Sequence, residues 1–237
     1  MIAIPAIDIR DGACVQLVGG SFADEKLRIA DPLDALRRWT GAGFARVHVV
    51  DLDAALGTGS NGPTVDALIA NGGAELQVGG GVRTTERVDA LFAAGVDRIV
   101  VGTRALEDPA WLHELAGRRP GRVIAAVDVR DRSVVTHGWA RRLAQPVADV
   151  LDGLDGAALG GILVTAVHVE GRLAGPDLPL VAAIARRAGA PVIASGGIAT
   201  MDDLRDLASA GAAACVIGMA LYTGALDART VAQEFCA

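Results

Sequence analysis

The stretch Gly79-Gly80-Gly81-Val82-Arg83-Thr84 returns later in the chain as Ser195-Gly196-Gly197-Ile198-Ala199-Thr200. The two copies keep step without a gap, through Gly95 and Gly211, to Val101-Gly102-Thr103 and Ile217-Gly218-Met219. Ile7-Asp8-Ile9-Arg10-Asp11 is echoed in the same way by Val127-Asp128-Val129-Arg130-Asp131. Each glycine turn follows a short aliphatic run and precedes an amphipathic stretch, the order of strand, turn and helix. The chain therefore reads as two half-barrels of four βα units each.

Working outward from these turns, Val- and Ile-rich runs alternate with helical stretches, the pattern of a parallel sheet. The strands read Ile2 to Ile7, Arg46 to Val50, Glu75 to Val78, Arg98 to Val101, Val123 to Val127, Gly161 to Val164, Pro191 to Ala194 and Ala213 to Ile217. Between them lie helices such as Pro32 to Gly41, Thr85 to Ala94, Leu178 to Ala188 and Met201 to Ala210. Asp31-Pro32 and Asp108-Pro109 suit helix starts, and Gly95 and Gly211 suit helix ends. Eight units in 237 residues fit one (β/α)8 barrel of the TIM type spanning residues 1–237, with few insertions. An open doubly wound sheet is the alternative, but Pro5-Ala6-Ile7-Asp8 stands where its G-x-G-x-x-G fingerprint belongs.

Composition narrows the function. The chain is 51% hydrophobic and 21% charged, an ordinary globular mix. No apolar run is long enough to span a bilayer, and Met1-Ile2-Ala3-Ile4-Pro5 does not open a secretion signal, so a cytoplasmic protein with no membrane partner is expected. Cys14, Cys215 and Cys236 have no metal-like spacing, which argues against a disulfide framework or a metal site. A net charge of -6 and 3% aromatic residues argue against nucleic acid, which needs a broad basic face or stacking rings. An acidic protein that binds anions must use local donors, so glycine loops and helix starts become the candidates. A complete barrel closes its own core, and a monomer is expected.

In a barrel the active face is built from strand ends and the loops after them. Asp8 and Asp128 end strands one and five, across the barrel from each other. Carboxylates facing one pocket can be driven to different protonation states, one accepting a proton while the other donates. Gly80, Gly81, Gly102 and Thr103 form one anion cradle, and Ser195, Gly196, Gly197, Gly218 and Met219 its repeat. Two cradles on opposite sides of one mouth imply a small ligand with a phosphate at each end, its centre between the two Asp residues. Arg83 could add a charged contact, Thr165 could hydrogen-bond a sugar hydroxyl or a carboxylate, and Trp139, in the polar loop after strand five, could cover the ligand. His48 and His168 read as structural.

These residues resemble a known family. Pro5-Ala6-Ile7-Asp8, Val49-Val50-Asp51-Leu52-Asp53, Gly79-Gly80-Gly81-Val82-Arg83, Val101-Gly102-Thr103, Asp128-Val129-Arg130, His137-Gly138-Trp139, Ser195-Gly196-Gly197-Ile198 and Ile217-Gly218 are similar to the phosphoribosylformimino aminoimidazole carboxamide ribotide (ProFAR) isomerases of histidine biosynthesis, over the whole chain. The resemblance implies an Amadori rearrangement of an aminoaldose to an aminoketose without metal or organic cofactor. It implies Asp8 as proton acceptor, with the donor at Asp128 or at the carboxylate after strand six. There the family reads Thr-Asp-Ile-x-(Arg or Lys)-Asp-Gly, and this chain reads Thr165-Ala166-Val167-His168-Val169-Glu170-Gly171, keeping the carboxylate as Glu170 and the glycine as Gly171. Gln16 stands in the first loop where an Arg is usual. Relatives in the family also isomerise phosphoribosylanthranilate, which gives an alternative substrate; a sugar-phosphate-binding paralogue without turnover is the alternative from another class.

Overall fold

The computed structural model describes residues 1–235, so Cys236 lies outside the described residues. Its elements, in chain order, are β1 Ile2–Arg10, β2 Ala13–Val18, β3 Ser21–Ile29, α1 Pro32–Ala42, β4 Arg46–Asp51, α2 Leu52–Leu56, α3 Gly62–Asn71, β5 Glu75–Gly79, α4 Thr85–Ala94, β6 Arg98–Val101, α5 Thr103–Glu107, α6 Pro109–Arg118, β7 Val123–Arg130, β8 Ser133–Thr136, β9 Arg141–Pro146, α7 Val147–Leu154, β10 Gly161–Ala166, α8 Leu178–Ala185, β11 Val192–Ser195, α9 Met201–Ser209, β12 Ala214–Ile217, α10 Met219–Thr223 and α11 Ala228–Phe235. Eight strands are parallel and close on themselves in the order β1-β4-β5-β6-β7-β10-β11-β12 and back to β1. The fold is a (β/α)8 barrel.

The period of two along each strand explains its interior. Ile4 and Ala6 of β1 meet Val100, Ile124, Leu163, Ile193, Ala214 and Val216 in one aliphatic cluster that fills the lumen. Their neighbours Ala3, Ile7 and Ile9 face the helical layer in a second, larger cluster with Trp39, Phe44 and the inner faces of the helices. Continuing the inward series carries β1 to Asp8, and the series Ile124, Ala126 carries β7 to Asp128. At the opposite end, Glu75 accepts from Arg46 at 2.9 Å and Arg98 at 2.5 Å, which holds its carboxyl below the usual range, Arg98 contributing most.

Helix ends follow the local chemistry. Asp31, Asp108 and Asp177 each accept a first-turn N–H ahead of a proline-led helix, and Thr84 and Thr200 cap α4 and α9 the same way. Helix α8 ends at Ala185, three residues before the boundary its sequence suggests.

The polar stretches after strands one and five are hairpins rather than loops. β2 pairs antiparallel with β1, Asp8 opposite Val15, and β8 pairs with β7, Asp128 opposite Val135. Gln16, expected in a first loop, is therefore a buried residue of β2. Both turns use left-handed pairs, Asp11-Gly12 and Asp131-Arg132, as tight hairpins require.

One seam needs a side chain. β1 pairs with β12 only as far as Pro5 opposite Ile217. The next carbonyl, that of Ala6, accepts instead from the Tyr222 hydroxyl of α10 at 2.7 Å. Tyr222 Oη in turn accepts from Trp39 Nε1 at 3.3 Å and lies 3.1 Å from Cys14 Sγ, so the last βα unit is fastened to the strand that carries Asp8.

Candidate active site

The strand ends open into a cavity of about 270 Å³ lined by Asp8, Asp128, Thr165, Glu170, Trp139 and Ser195 together with Gly80, Gly81, Arg83, Gly102, Thr103 and Gly218. A smaller recess of about 20 Å³ adjoins it, bounded by Gly171, Gly196, Gly197 and Met219, with Glu170 and Gly218 shared between the two. Each candidate catalytic or phosphate-binding residue named from the sequence borders one or other of these spaces.

Three carboxyl groups meet in this desolvated volume. Burial pushes Asp8 up to about 7. Glu170 also rises to about 7, through burial first and then the charges of Asp8 and Asp128, against one hydrogen bond from the Gly171 N–H. Burial raises Asp128 too, but Thr165 and Trp139 oppose it by hydrogen-bonding its charged form. Trp139 Nε1 donates to Asp128 Oδ2 at 2.8 Å, and Thr165 stands opposite Asp128 in the β7–β10 register. Glu170 Oε2 is buried with no partner. Burial thus disfavours the charged form of all three groups, and only Asp128 has side-chain donors that oppose it.

The glycine turns are sterically required. A Cβ on Gly80 would overlap the Asp51 carbonyl, and one on Gly197 the Gly175 carbonyl; both residues also have left-handed backbones. Each turn thereby packs directly on a neighbouring stretch of main chain, where any side chain would collide. Arg83 lines the larger cavity, with Nη2 donating to the Ala55 carbonyl at 2.6 Å. Arg104 is also in that wall, paired with Asp108 at 2.7 Å.

The family described as histidine biosynthesis protein matches residues 2–227. The chain belongs to this family. A 1-(5-phosphoribosyl)-5-((5-phosphoribosylamino)methylideneamino)imidazole-4-carboxamide isomerase of Myxococcus xanthus is 55% identical over 236 residues, 99% of each chain. Proteins of the same name from Gemmatimonas aurantiaca and Natronomonas pharaonis are 51% and 41% identical, covering 99% and 93% of this chain and 99% and 92% of their own.

The positions that depart from the expected pattern are accommodated by packing. Ala166 is buried at the end of β10, and Val169 packs against the Gly197 turn. Gln16 donates from Nε2 to the Val15 carbonyl at 2.9 Å, and its Oε1 lies over Gly218. His168, read as structural, lies 3.2 Å from Asp177.

Several residues have roles that the sequence did not assign to them. The motif at Asp51 and Asp53 is a hydrogen-bonding hub: Asp51 accepts from Ala54 and from Asn61 backbone and side chain, and Asp53 accepts from Asn61 and from the Asp11 N–H. Asn61 Oδ1 in turn accepts from Gly12, which pins the first hairpin turn. Asn61 lies ten residues from Asp51, in a stretch with no periodic signal. His48, read as structural, lines the cavity and pairs with Gln77 at 3.0 Å. Its place inside the apolar run Val47-His48-Val49-Val50 gave no hint of an inward-facing polar group.

Among the described residues, no cluster of three or more His, Cys, Asp or Glu could hold a metal ion, and no helix is long and apolar enough to cross a membrane. Cys14 and Cys215 are buried.

Proposed function

We propose that the chain is an aldose–ketose isomerase that converts the bisphosphorylated ribotide ProFAR to its ribulosyl isomer in histidine biosynthesis. The carrying observation is three carboxyl groups, Asp8, Asp128 and Glu170, facing one cavity between two glycine turns. The relatives named as isomerases of that imidazole carboxamide support the substrate.

In this reading the phosphates rest on the turns at Gly80, Gly81, Gly102 and Thr103, with Arg83, and at Gly171, Ser195, Gly196, Gly197, Gly218 and Met219. Fixing both ends holds the reacting ribose between the carboxyl groups, where orientation lowers the barrier. Glu170, whose charged form is disfavoured by burial and by a charge on Asp8, gives a proton to the ring oxygen; the C1–O bond breaks and the amine nitrogen forms a C=N bond to C1. Asp8 as carboxylate then takes the C2 proton, and the electron pair moves to leave an enolamine. Loss of the enol proton with protonation at C1 yields the ketone. Asp128, held by Trp139 and Thr165, favours the cationic imine when it is ionised. The chemistry uses no cofactor. The working species is a monomer in the cytoplasm, to be checked by light scattering of the purified protein and by fractionation.

Purified protein is expected to turn over ProFAR without added metal. Asp8→Asn should lower kcat by at least about 10³-fold with the fold intact, because a positioned base contributes roughly 10²–10⁴-fold. Retained turnover in that variant would reject the role of Asp8. Glu170→Gln should lower kcat further than Asp128→Asn; the reverse order would move the donor to strand five. Side-by-side assay with phosphoribosylanthranilate decides substrate range, and turnover of neither compound would leave a binding protein.

A further inference from the structure

We infer that Gln77 is a positioning residue: its side-chain amide holds His48 in the tautomer that carries hydrogen on Nε2, leaving a neutral N–H donor for a substrate oxygen in the cavity. The role of that donor rests on the isomerase reading; the tautomer does not.

His48 of β4 and Gln77 of β5 stand opposite each other in register and are buried, 5% and 0% exposed. They face an interior otherwise filled by aliphatic side chains, as barrel layers usually are. Gln77 Nε2 lies 3.0 Å from His48 Nδ1. An amide nitrogen only donates, so Nδ1 accepts and the ring hydrogen belongs on Nε2. Gln77 Oε1 has no partner. Turning the amide over would pair that oxygen but strand two buried N–H donors, and orphaned N–H groups are rarer in proteins than under-satisfied carbonyl oxygens. With Nδ1 occupied, Nε2 is the ring's remaining polar atom, and the ring lines the cavity. Burial pushes the His48 imidazolium down to about 4, so the ring is neutral wherever the carboxyl groups function. The register places His48 beside Ala6, two residues below Asp8, on the adjoining strand. The oxygen on the carbon that Asp8 deprotonates is the natural acceptor, and a neutral donor stabilises the negative charge that builds on it as the enol proton leaves, without competing for the Asp8 proton.

The test begins with 15N-histidine-labelled full-length protein, the His48 signals assigned by their loss in His48→Gln. Long-range 1H–15N spectra between pH 5.5 and 8 should show the Nε2–H tautomer alone in the wild type and a mixture in Gln77→Met. A wild-type Nδ1–H signature, or an imidazolium at pH 6, would overturn the tautomer assignment whether or not the protein turns over ProFAR. For the donor, His48→Leu should lower kcat about 10²-fold, His48→Gln, which keeps an N–H, should restore roughly tenfold of that, and Gln77→Met should lose about tenfold in kcat with KM within twofold. Equal losses for His48→Leu and His48→Gln, or wild-type kcat in Gln77→Met, would overturn the donor role. A wild type without turnover would instead reject the isomerase reading and the donor role with it, while the spectra still decide the tautomer.

Discussion

Gly80 and Gly81 sit at φ 92° and 68°, and their counterparts Gly196 and Gly197 at 105° and 82°. Gly102 and Gly218 agree as closely, at φ -107° and -103°. Around these matched backbones the side chains differ. The first turn has Arg83 and Arg104 in its wall, whereas the recess at the second is bounded by glycines, Ile198, Met219 and the Glu170 carboxyl. The two halves therefore share what a main chain can offer an anion and differ in what side chains add. Duplicated folds hold backbone geometry where sterics allow one residue type and let the surroundings diverge.

That comparison can be broken at several points. The largest effect is expected from Gly80→Ala and Gly197→Ala, where a left-handed residue and a backbone overlap together should cost roughly 3 kcal/mol or more in urea denaturation. If only one of the pair is destabilised, the turns are not equivalent. Next, Arg83→Ala should raise KM for a bisphosphate about tenfold, an effect that shrinks at high salt, while Met219→Ala leaves a far weaker and salt-independent change. Equal salt dependence would erase the asymmetry.

A smaller effect distinguishes the carboxyl beneath the second turn. The folded Glu170 titrates at about 7 rather than the ordinary 4.5, so its charged form is penalised by burial. The neutral form's contribution is fully present below about 4.5 and is lost as pH rises through about 7. Glu170→Gln should therefore leave Tm unchanged at pH 4 and raise it at pH 8, by roughly 2–4 °C for each kcal/mol recovered in a chain of this size. A lowered Tm at pH 8 would contradict the shift. Smallest of all, the paired hairpin turns place Gly12 and Arg132 in the same left-handed position. Gly12→Ala should destabilise by about 1 kcal/mol and Arg132→Gly should be neutral or slightly stabilising, read by thermal melts.

The eight barrel strands and both glycine turns were legible because continuous aliphatic runs and a gapless repeat leave few other structures. The hairpins were not. Arg141-Arg142-Leu143-Ala144-Gln145-Pro146 is mostly exposed and mixed in polarity, and it becomes β9 only by pairing with β8, a tertiary contact that no local pattern announces. The same held within the cavity. Asp8 and Asp128 were marked by their repeated strand-end positions, but His48, Gln77 and Asn61 matter through partners far along the chain. Gln16 was placed in a loop for the same reason, since β2 is defined by its pairing with β1.

The bond from Tyr222 to the Ala6 carbonyl joins residues 216 positions apart. Closing so long a stretch of chain carries an entropic penalty that nearby contacts cannot offset piecemeal. The strand bearing Asp8 thus gains its final hold only when the eighth unit docks. A truncation entering α10 would remove this bond and leave the Ala6 carbonyl without its partner beside the strand that bears Asp8, while β1 stayed paired with β12 as far as Pro5.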